Sequence, residues 1–260
     1  MRIALIEPKP PFNSYLLWGK LPLLGNLVLG AILKQAGHEV RVFKENIVAA
    51  YSERRDRLHP FVESADAVGM TAITHTVNRA YRIADAIKRK CPGKKIVMGG
   101  SHPSALPEEA LCHVDQVVVG EAEDVVRDVF EGRVSDRVVR GNHVDLDRVP
   151  PVDLTLMEGY RMRNTGRFLP VAPIMASRGC PFDCVFCSVS RMFGREYRIR
   201  DADLVLEELR MRYREGYRWA FFYDDNFAAR PAKTKVFLEK LIREDMDPSF
   251  SMFLRRRGDS

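Results

Sequence analysis

The sequence of 260 residues lacks an apolar run long enough to cross a membrane. Its longest mostly apolar stretch, residues 21–33, is interrupted by Gly25, Asn26 and Gly30, and at about 13 residues it predicts a core helix rather than a membrane span. The apolar run at residues 3–6 is too short for the hydrophobic region of a secretory signal peptide. We therefore expect a protein with neither a signal peptide nor a membrane span.

Cysteine is scarce, with five residues in the chain, and this number is odd. Three of the five are clustered, so the sequence does not predict a secreted disulfide framework and favours a reducing, cytoplasmic compartment. The formal net charge of +6 is mild. Arginines concentrate between residues 191 and 218, a pattern typical of solvated helix faces, so we do not predict a nucleic-acid partner.

The first half has no Gly-x-Gly-x-x-Gly after its first apolar run, so a dinucleotide-binding domain is not indicated. Val- and Ile-rich runs alternate with helical patterns instead, which predicts a parallel sheet covered on both faces. The predicted strands are residues 2–8, 39–44, 67–73, 95–100 and 116–120. The predicted helices are residues 23–35, 78–90, 108–113 and 122–130. In such sheets ligands bind beyond the carboxyl ends of the strands.

The densest chemical feature is the segment Arg178–Cys187, which reads RGCPFDCVFC. Cys180, Cys184 and Cys187 are close enough to converge on one point, and soft thiolates select zinc, copper(I) or iron–sulfur clusters. Zinc sites and cubane clusters normally take four protein ligands, and no fourth Cys or His follows within a short loop. The simplest interpretation is a [4Fe–4S] cluster with one iron open for a substrate or cofactor. A reduced-thiol loop and a small zinc site are the alternatives.

A second strand–helix repeat surrounds these cysteines. Residues 171–179 predict a buried strand that leads into the cysteine loop. Residues 204–215 and 231–244 predict helices, and residues 218–226 and 250–255 predict two further strands. Functional residues at the carboxyl ends of such strands are typical of a barrel.

The spacing Cys-x3-Cys-x2-Cys, with the aromatic Phe186 before the last Cys, resembles the signature of the radical S-adenosylmethionine (SAM) superfamily. The resemblance implies that Cys180, Cys184 and Cys187 ligate a [4Fe–4S] cluster, and that Phe186 contributes to the SAM site. It also implies that the open iron chelates SAM and that the reduced cluster cleaves SAM to a 5′-deoxyadenosyl radical. A flavodoxin- or ferredoxin-type protein is the electron donor that we expect.

The same resemblance bears on the polar residues that close the strand at residues 218–226. In the family, this position holds the amino group of SAM, which implies that role for Asp224, Asp225 and Asn226. The alternative is that these three residues cap a turn.

Residues 1–130 resemble the cobalamin-binding domain that precedes many radical SAM domains. The matching pieces are LPLLGNLVLGAILKQAGHEV, GMTAIT, VMGGSHPSALPEEAL and VDQVVVGEAE. The resemblance implies a Rossmann-like (flavodoxin-like) sheet and a cobalamin site formed by Thr71, Thr74, His75, Gly99, Gly100, Ser101 and His102. The Asp-x-His-x-x-Gly piece of the wider fold is missing, so we expect cobalamin to bind without that lower axial His. A degenerate domain that holds no cofactor is the alternative.

These patterns divide the chain into a cobalamin-binding-like domain (residues 1–132), a linker (133–170) and an incomplete radical SAM barrel (171–260). The family barrel is a (β/α)6 partial TIM barrel, and only its first three strands are predicted here. Three strands leave an apolar face and a pairing edge uncovered. We therefore expect a truncated chain, a split gene, or a piece that needs the missing part of the barrel as a partner.

The function predicted from these features is that of a radical SAM enzyme with cobalamin as a second cofactor, acting as a methyltransferase or cyclase on a small-molecule substrate. One alternative is a non-catalytic cobalamin- or cluster-binding fragment, or an assembly partner. A zinc-binding regulatory protein is a further alternative.

Overall fold

The computed structural model describes residues 1–11, 21–160 and 171–244, and the backbone of residues 249–251. The chain divides into two compact units. The first comprises Met1–Val144 and Pro150–Arg161, and the second comprises Asp145–Val149 and Met162–Ser260. No helix in the described ranges combines the length and the apolar character that crossing a membrane requires.

The first unit is built on a parallel sheet. The strands in its described part are β1 (Arg2–Glu7), β2 (Glu39–Lys44), β3 (Tyr51–Ser52), β4 (Arg57–Leu58), β5 (Ala67–Thr71), β6 (Lys95–Gly99), β7 (Gln116–Val119) and β8 (Val138–Arg140). Six of them form one sheet in the order β2-β1-β5-β6-β7-β8, with every neighbouring pair parallel. This order is that of a flavodoxin-like sheet with β8 added at one edge, which confirms the predicted fold class. The strands β3 and β4 form a separate antiparallel pair.

Helices connect these strands. They are α1 (Leu24–Gln35), α2 (Pro60–Ser64), α3 (Val77–Lys90), α4 (Ser101–Ala105), α5 (Pro107–Ala110) and α6 (Val126–Phe130). In β1 every residue after Arg2 is buried. Since successive side chains of a strand point to opposite faces, both faces of the sheet are covered at this strand.

Packing above the centre of the sheet is close enough to require a glycine. A Cβ atom on Gly69 in β5 would lie 2.6 Å from Cδ2 of Leu5 and 3.0 Å from Cζ of Phe130. Leu5 and Phe130 are both buried, so neither side chain has room to move away. The absence of a side chain at this position therefore lets Leu5 and Phe130 pack directly onto the sheet.

The second unit contains a smaller parallel sheet. Its described strands are β9 (Val171–Ile174), β10 (Ser177–Arg178), β11 (Arg198–Ile199), β12 (Trp219–Phe222) and β13 (Ser249–Ser251). Its described helices are α7 (Val189–Phe193), α8 (Ala202–Arg214) and α9 (Pro231–Ile242). Parallel pairing gives the order β13-β12-β9, and β10 pairs with β11 in an antiparallel ladder.

The two longer helices of this unit begin as their sequences indicate. The Asp201 side chain accepts a hydrogen bond from the backbone N–H of Asp203 at 2.8 Å and caps α8. Pro231 occupies the first turn of α9, where its missing N–H leaves no donor unpaired. The apolar face of α8 buries Val205 and Leu209.

The structure corrects several predicted boundaries. The predicted helix at residues 108–113 corresponds to α5, which begins at Pro107 and ends at Ala110, and α4 before it was not predicted. The predicted strand at residues 171–179 is two strands, β9 and β10, which belong to different sheets. The predicted strand at residues 218–226 ends at Phe222, and its polar residues lie in the loop that follows.

Two further segments bear on the predicted boundaries. β8 lies inside the predicted linker, and three residues are too few to show a period in a sequence. The linker also contains two short 3-10 helices, Leu146–Arg148 and Leu154–Leu156. Of the predicted strand at residues 250–255, positions 252–255 lie outside the described residues.

Gly69→Ala is expected to lower the free energy of unfolding by about 1–3 kcal/mol, because the added methyl group overpacks a filled part of the core. Gly25→Ala in α1 is the matched control, since a Cβ there meets nothing within 4 Å. Urea unfolding of the two variants measures the difference. Equal stability of both variants would contradict the packing described here.

Candidate functional site

The three clustered cysteines lie on the loop that follows β10. Cys180, Cys184 and Cys187 are partly buried thiols, and the backbone N–H of Cys187 donates to the carbonyl of Cys184 at 3.0 Å. Among the residues that the structure describes, no group of three or more His, Cys, Asp or Glu side chains is arranged to hold a metal ion. One loop therefore carries all three thiols, and their convergence on a single centre stays a prediction.

The base of this loop is closed by the ladder of β10 and β11, in which Arg178 pairs with Arg198. Gly179 follows with a φ angle of +86°, a region that favours glycine. A Cβ atom on Gly179 would also clash with the carbonyl oxygen of Glu196. Glycine is thus required where the chain turns from β10 into the cysteine loop.

The polar run after β12 contacts the backbone that leads into the same loop. Asp224 Oδ1 accepts a hydrogen bond from the N–H of Ala176 at 2.9 Å, and Oδ2 accepts one from the hydroxyl of Ser177. These contacts are available because β9 and β12 are parallel neighbours, so their carboxyl ends meet at one edge. Both oxygens of Asp224 are engaged within the protein, which gives this carboxyl group a positioning role.

The next two residues continue this set of contacts toward the cysteines. Asp225 Oδ2 accepts a hydrogen bond from the N–H of Gly179 at 2.9 Å. The side-chain amide of Asn226 donates to Cys180 Sγ across 3.9 Å. Three consecutive residues after β12 therefore contact successive positions of the segment that leads from Ala176 to Cys180.

Burial governs the protonation of these carboxyl groups. Asp224 is 1% exposed, and its burial raises its pKa to about 7, although the hydrogen bonds from Ser177 and Ala176 act in the opposite direction. Burial also raises the pKa of Asp225, against the hydrogen bond from Gly179. The carboxyl group of Asp224 therefore titrates near neutral pH.

Sequence reasoning missed three residues that support this region. The hydroxyl of Tyr197 donates to the carbonyl of Phe227 at 3.0 Å, and burial raises the pKa of Tyr197 to about 12. Arg200 is buried and donates to the carbonyl of Met175 at 2.9 Å and to Glu208 Oε2 at 2.7 Å. Ser177 binds Asp224, as described above. The only sequence signal for Arg200 is its place just before the Asp201 cap of α8.

In the first unit, the loops after β5 and β6 meet at the carboxyl edge of the sheet. Gly100 has a φ angle of +106°, and a Cβ atom on it would lie 2.5 Å from the carbonyl oxygen of Ala72 and 2.9 Å from Thr71 Oγ1. Gly99 accepts a hydrogen bond from the N–H of Ala72 at 2.9 Å. Gly99, Gly100 and Ser101 are half-buried, so this edge offers backbone with little side chain, which suits close approach of a bulky ligand.

The buried side chain of His102 connects these two loops. It is 8% exposed, with Nδ1 3.2 Å from Thr74 Oγ1 and Nε2 3.2 Å from Glu109 Oε1. The hydroxyl of Tyr81 donates to the same oxygen of Glu109 at 3.0 Å. Both ring nitrogens of His102 have partners, so this residue supports the edge. His75 is exposed on the loop after β5.

Buried charges occupy the carboxyl ends of β1 and β2, a feature that sequence reasoning missed. Lys44 forms a buried ion pair with Glu7. Arg79 contacts both oxygens of Glu45 at 2.7 Å and the carbonyl of Tyr51 at 2.6 Å. A charged residue directly after an apolar run is the signal that marks Lys44 and Glu45.

Asp224→Asn is expected to remove a pH dependence from the stability of the protein. The pKa of Asp224 is raised from its ordinary 3.8 to about 7 in the folded state. The associated stability is therefore fully present below about pH 4 and is lost as the pH rises through about 7. Because Asn does not titrate, urea unfolding at about pH 5 and about pH 8 should show a smaller difference for Asp224→Asn than for the unaltered protein.

The control for this measurement is Asp203→Asn, which removes an exposed carboxyl group at the start of α8. That variant should retain the pH dependence of the unaltered protein. If Asp224→Asn and Asp203→Asn respond alike to pH, the assignment of the titrating group is wrong.

Two family models match the chain. The B12 binding domain matches residues 18–130, and the Radical SAM superfamily matches residues 174–256. The cysteine loop and the polar run after β12 lie within the second match. The edge formed by the loops after β5 and β6 lies within the first.

Curated relatives match most of the chain. A bacteriochlorophyllide d C-8(2)-methyltransferase of Chlorobaculum tepidum is 32% identical and covers 73% of this chain and 44% of its own length. An anaerobic magnesium-protoporphyrin IX monomethyl ester cyclase of Rubrivivax gelatinosus is 29% identical and covers 95% of this chain and 49% of its own length. The chain thus spans about half the length of the curated relatives it matches.

A solved structure has the same fold. The methyltransferase TsrM of Kitasatospora setae, with cobalamin and a [4Fe–4S] cluster bound, superimposes with a TM-score of 0.63 at 19% identity. The match covers 93% of this chain and 51% of TsrM. The two families imply cobalamin, SAM and a [4Fe–4S] cluster as cofactors, and the three soft thiols on one loop are the donors that such a cluster takes. The chain belongs to the radical SAM superfamily and carries an N-terminal B12-binding domain.

Proposed function

We propose that the protein is a cobalamin-dependent radical SAM enzyme of the methyltransferase or cyclase type. The observation that carries this proposal is the cysteine loop, whose thiols Cys180, Cys184 and Cys187 follow a backbone held by the carboxylates of Asp224 and Asp225. Cys180, Cys184 and Cys187 would hold a [4Fe–4S] cluster through three thiolates and would leave one iron available to SAM. A bound cluster supplies the electron that cleaves SAM to a 5′-deoxyadenosyl radical.

In this proposal, residues of the chain bind SAM and position the cysteine loop. Phe186 is 88% exposed on the cysteine loop and is available to contact SAM. Asp225 and Asn226 lie beside the start of the loop, where they contact Gly179 and Cys180, and remain the predicted contacts for the amino group of SAM. Asp224 is buried beneath them and holds the backbone.

Cobalamin binding is proposed for the edge formed by the loops after β5 and β6. The predicted contacts are Thr71, Thr74, His75, Gly99, Gly100 and Ser101. The half-buried glycines allow a ligand to approach the backbone closely. His102 is assigned to the support of this edge, because both of its ring nitrogens are already engaged. The relatives described above are a methyltransferase and a cyclase, so methyl transfer to carbon and ring formation are the activities proposed.

A flavodoxin- or ferredoxin-type protein is proposed as the source of electrons, because the reductive cleavage of SAM consumes one electron per event. The non-catalytic alternative, a cofactor-binding fragment or assembly partner, makes a different prediction. It binds cluster and corrin without forming 5′-deoxyadenosine. An assay of SAM cleavage with a chemical reductant separates the two, since it requires neither the natural electron donor nor the substrate.

Cys184→Ala is expected to abolish cluster binding, because two thiolates cannot hold the cubane. Iron and sulfide analysis after anaerobic purification should fall from about four of each per chain to near zero, with loss of 5′-deoxyadenosine formation. Cys112→Ala is the matched control, since Cys112 is exposed and belongs to the first unit. Iron retained by Cys184→Ala, or zinc in place of iron in the unaltered protein, would refute the assignment.

His102→Ala is expected to lower the stability of the protein, whereas His75→Ala is expected to weaken cobalamin binding. Loss of the His102 ring removes two hydrogen-bonded contacts at a buried position and should lower the free energy of unfolding by about 1–3 kcal/mol even without corrin. His75→Ala should leave stability unchanged within about 0.5 kcal/mol and weaken cobalamin binding. Urea unfolding and spectrophotometric corrin titration measure the two effects. Lower stability in His75→Ala together with weaker cobalamin binding in His102→Ala would contradict the roles proposed for these residues.

A further inference from the structure

In the polar run after β12, two side chains accept hydrogen bonds and one donates. Asp224 and Asp225 accept hydrogen bonds from backbone N–H groups, whereas the Asn226 amide donates to Cys180 Sγ. The two carboxylates could not take this place, because an oxygen acceptor beside a thiolate would repel it. The order Asp-Asp-Asn thus places the amide, which carries no charge and donates at any pH, beside the sulfur atom.

The donor is held in place by the packing around it. Asn226 is 5% exposed. The carbonyl of the next residue, Phe227, accepts hydrogen bonds from Tyr197 at 3.0 Å and from Thr234 at 3.1 Å. The Phe227 ring packs edge-on against Phe222 and Phe237 with centroids 4.9 Å and 5.8 Å apart. An amide so fixed loses little entropy when it binds sulfur.

Burial also makes this contact electrostatically effective. The Asn226 amide is 95% buried and Cys180 is partly buried, so water screens the contact only in part and the partial positive charge of the amide N–H acts on the sulfur. Hydrogen bonds to cluster sulfurs are one of the factors that set the reduction potential of an iron–sulfur centre. They favour the reduced state, because it carries more negative charge.

We infer that Asn226 is a positioning residue for the cluster ligand Cys180 and that its N–H···S hydrogen bond raises the reduction potential of the cluster. This inference rests on the proposed function, since it requires Cys180 to ligate iron. It assigns Asn226 a role toward the sulfur in addition to its predicted contact with SAM.

The test uses the anaerobically purified protein with its cluster, without SAM or substrate. Asn226→Leu keeps the branched shape of the side chain and removes the donor, so its midpoint potential should be more negative than that of the unaltered protein. At a fixed applied potential, the ratio of reduced to oxidised cluster should fall by roughly fivefold, the factor expected for one net hydrogen bond. A dithionite titration followed by electron paramagnetic resonance measures this ratio.

Asn226→Ser is the rescue variant, because it retains a donor with a shorter reach, and its potential should lie between those of Asn226→Leu and the unaltered protein. Asp203→Asn is the matched control: it changes an exposed carboxyl group at the start of α8 and does not touch the cysteine loop. That variant should leave the potential of the bound cluster unshifted. A shift of equal size in Asp203→Asn and Asn226→Leu would overturn the inference.

A second measurement needs no variant and applies if Asn226→Leu fails to hold a cluster. Transfer of the unaltered protein to D2O should shift the Fe–S stretching bands in resonance Raman spectra, because the N–H that contacts sulfur becomes N–D. Unshifted bands, or an unchanged potential in Asn226→Leu, overturn the role of Asn226. An unaltered protein that binds no iron instead overturns the proposed function itself, so the two failures are distinguishable.

Discussion

The hydrogen bonds that the Asp224 carboxyl group accepts from the chain after β9 are the interaction on which the site in the second unit depends. Ala176 and Ser177 lie between the end of β9 and the start of the cysteine loop. The carbonyl of Ala176 accepts a hydrogen bond from the N–H of Arg200 at 2.8 Å, whereas its N–H donates to Asp224. A buried backbone N–H without a partner is costly, and a buried carboxyl group without donors is costlier. Each satisfies the other, so the path of the chain toward Cys180 is determined by Asp224 on the neighbouring strand's loop.

The two units share one structural feature at the carboxyl edges of their sheets. In both, loops that leave the carboxyl ends of adjacent parallel strands are joined by side-chain hydrogen bonds. Asp224 joins the loops after β9 and β12, and His102 contacts Thr74 across the loops after β5 and β6. In both, a glycine with positive φ allows the close approach, Gly179 in the second unit and Gly100 in the first.

Buried ion pairs behind these edges contribute more to geometry than to stability. Arg79 with Glu45 in the first unit and Arg200 with Glu208 in the second are each removed from water. The desolvation of such pairs offsets much of their mutual attraction, so their net contribution to stability is small. Because a broken buried pair is strongly unfavourable, they exclude alternative arrangements of the elements that carry them.

The sequence by itself determined the α/β class, most elements of both sheets and the identity of the thiols, because strand and helix periods are local and three cysteines in eight residues lie together in any fold. It also indicated that Asp224, Asp225 and Asn226 close a strand. Only the tertiary structure decided what these residues contact, since Asp224 and Ala176 are 48 positions apart and meet only through the parallel register of β9 and β12. The same holds for the contacts of His102 with Thr74 and Glu109: a local pattern marks a polar residue near an edge, but its partners depend on how distant strands are placed side by side.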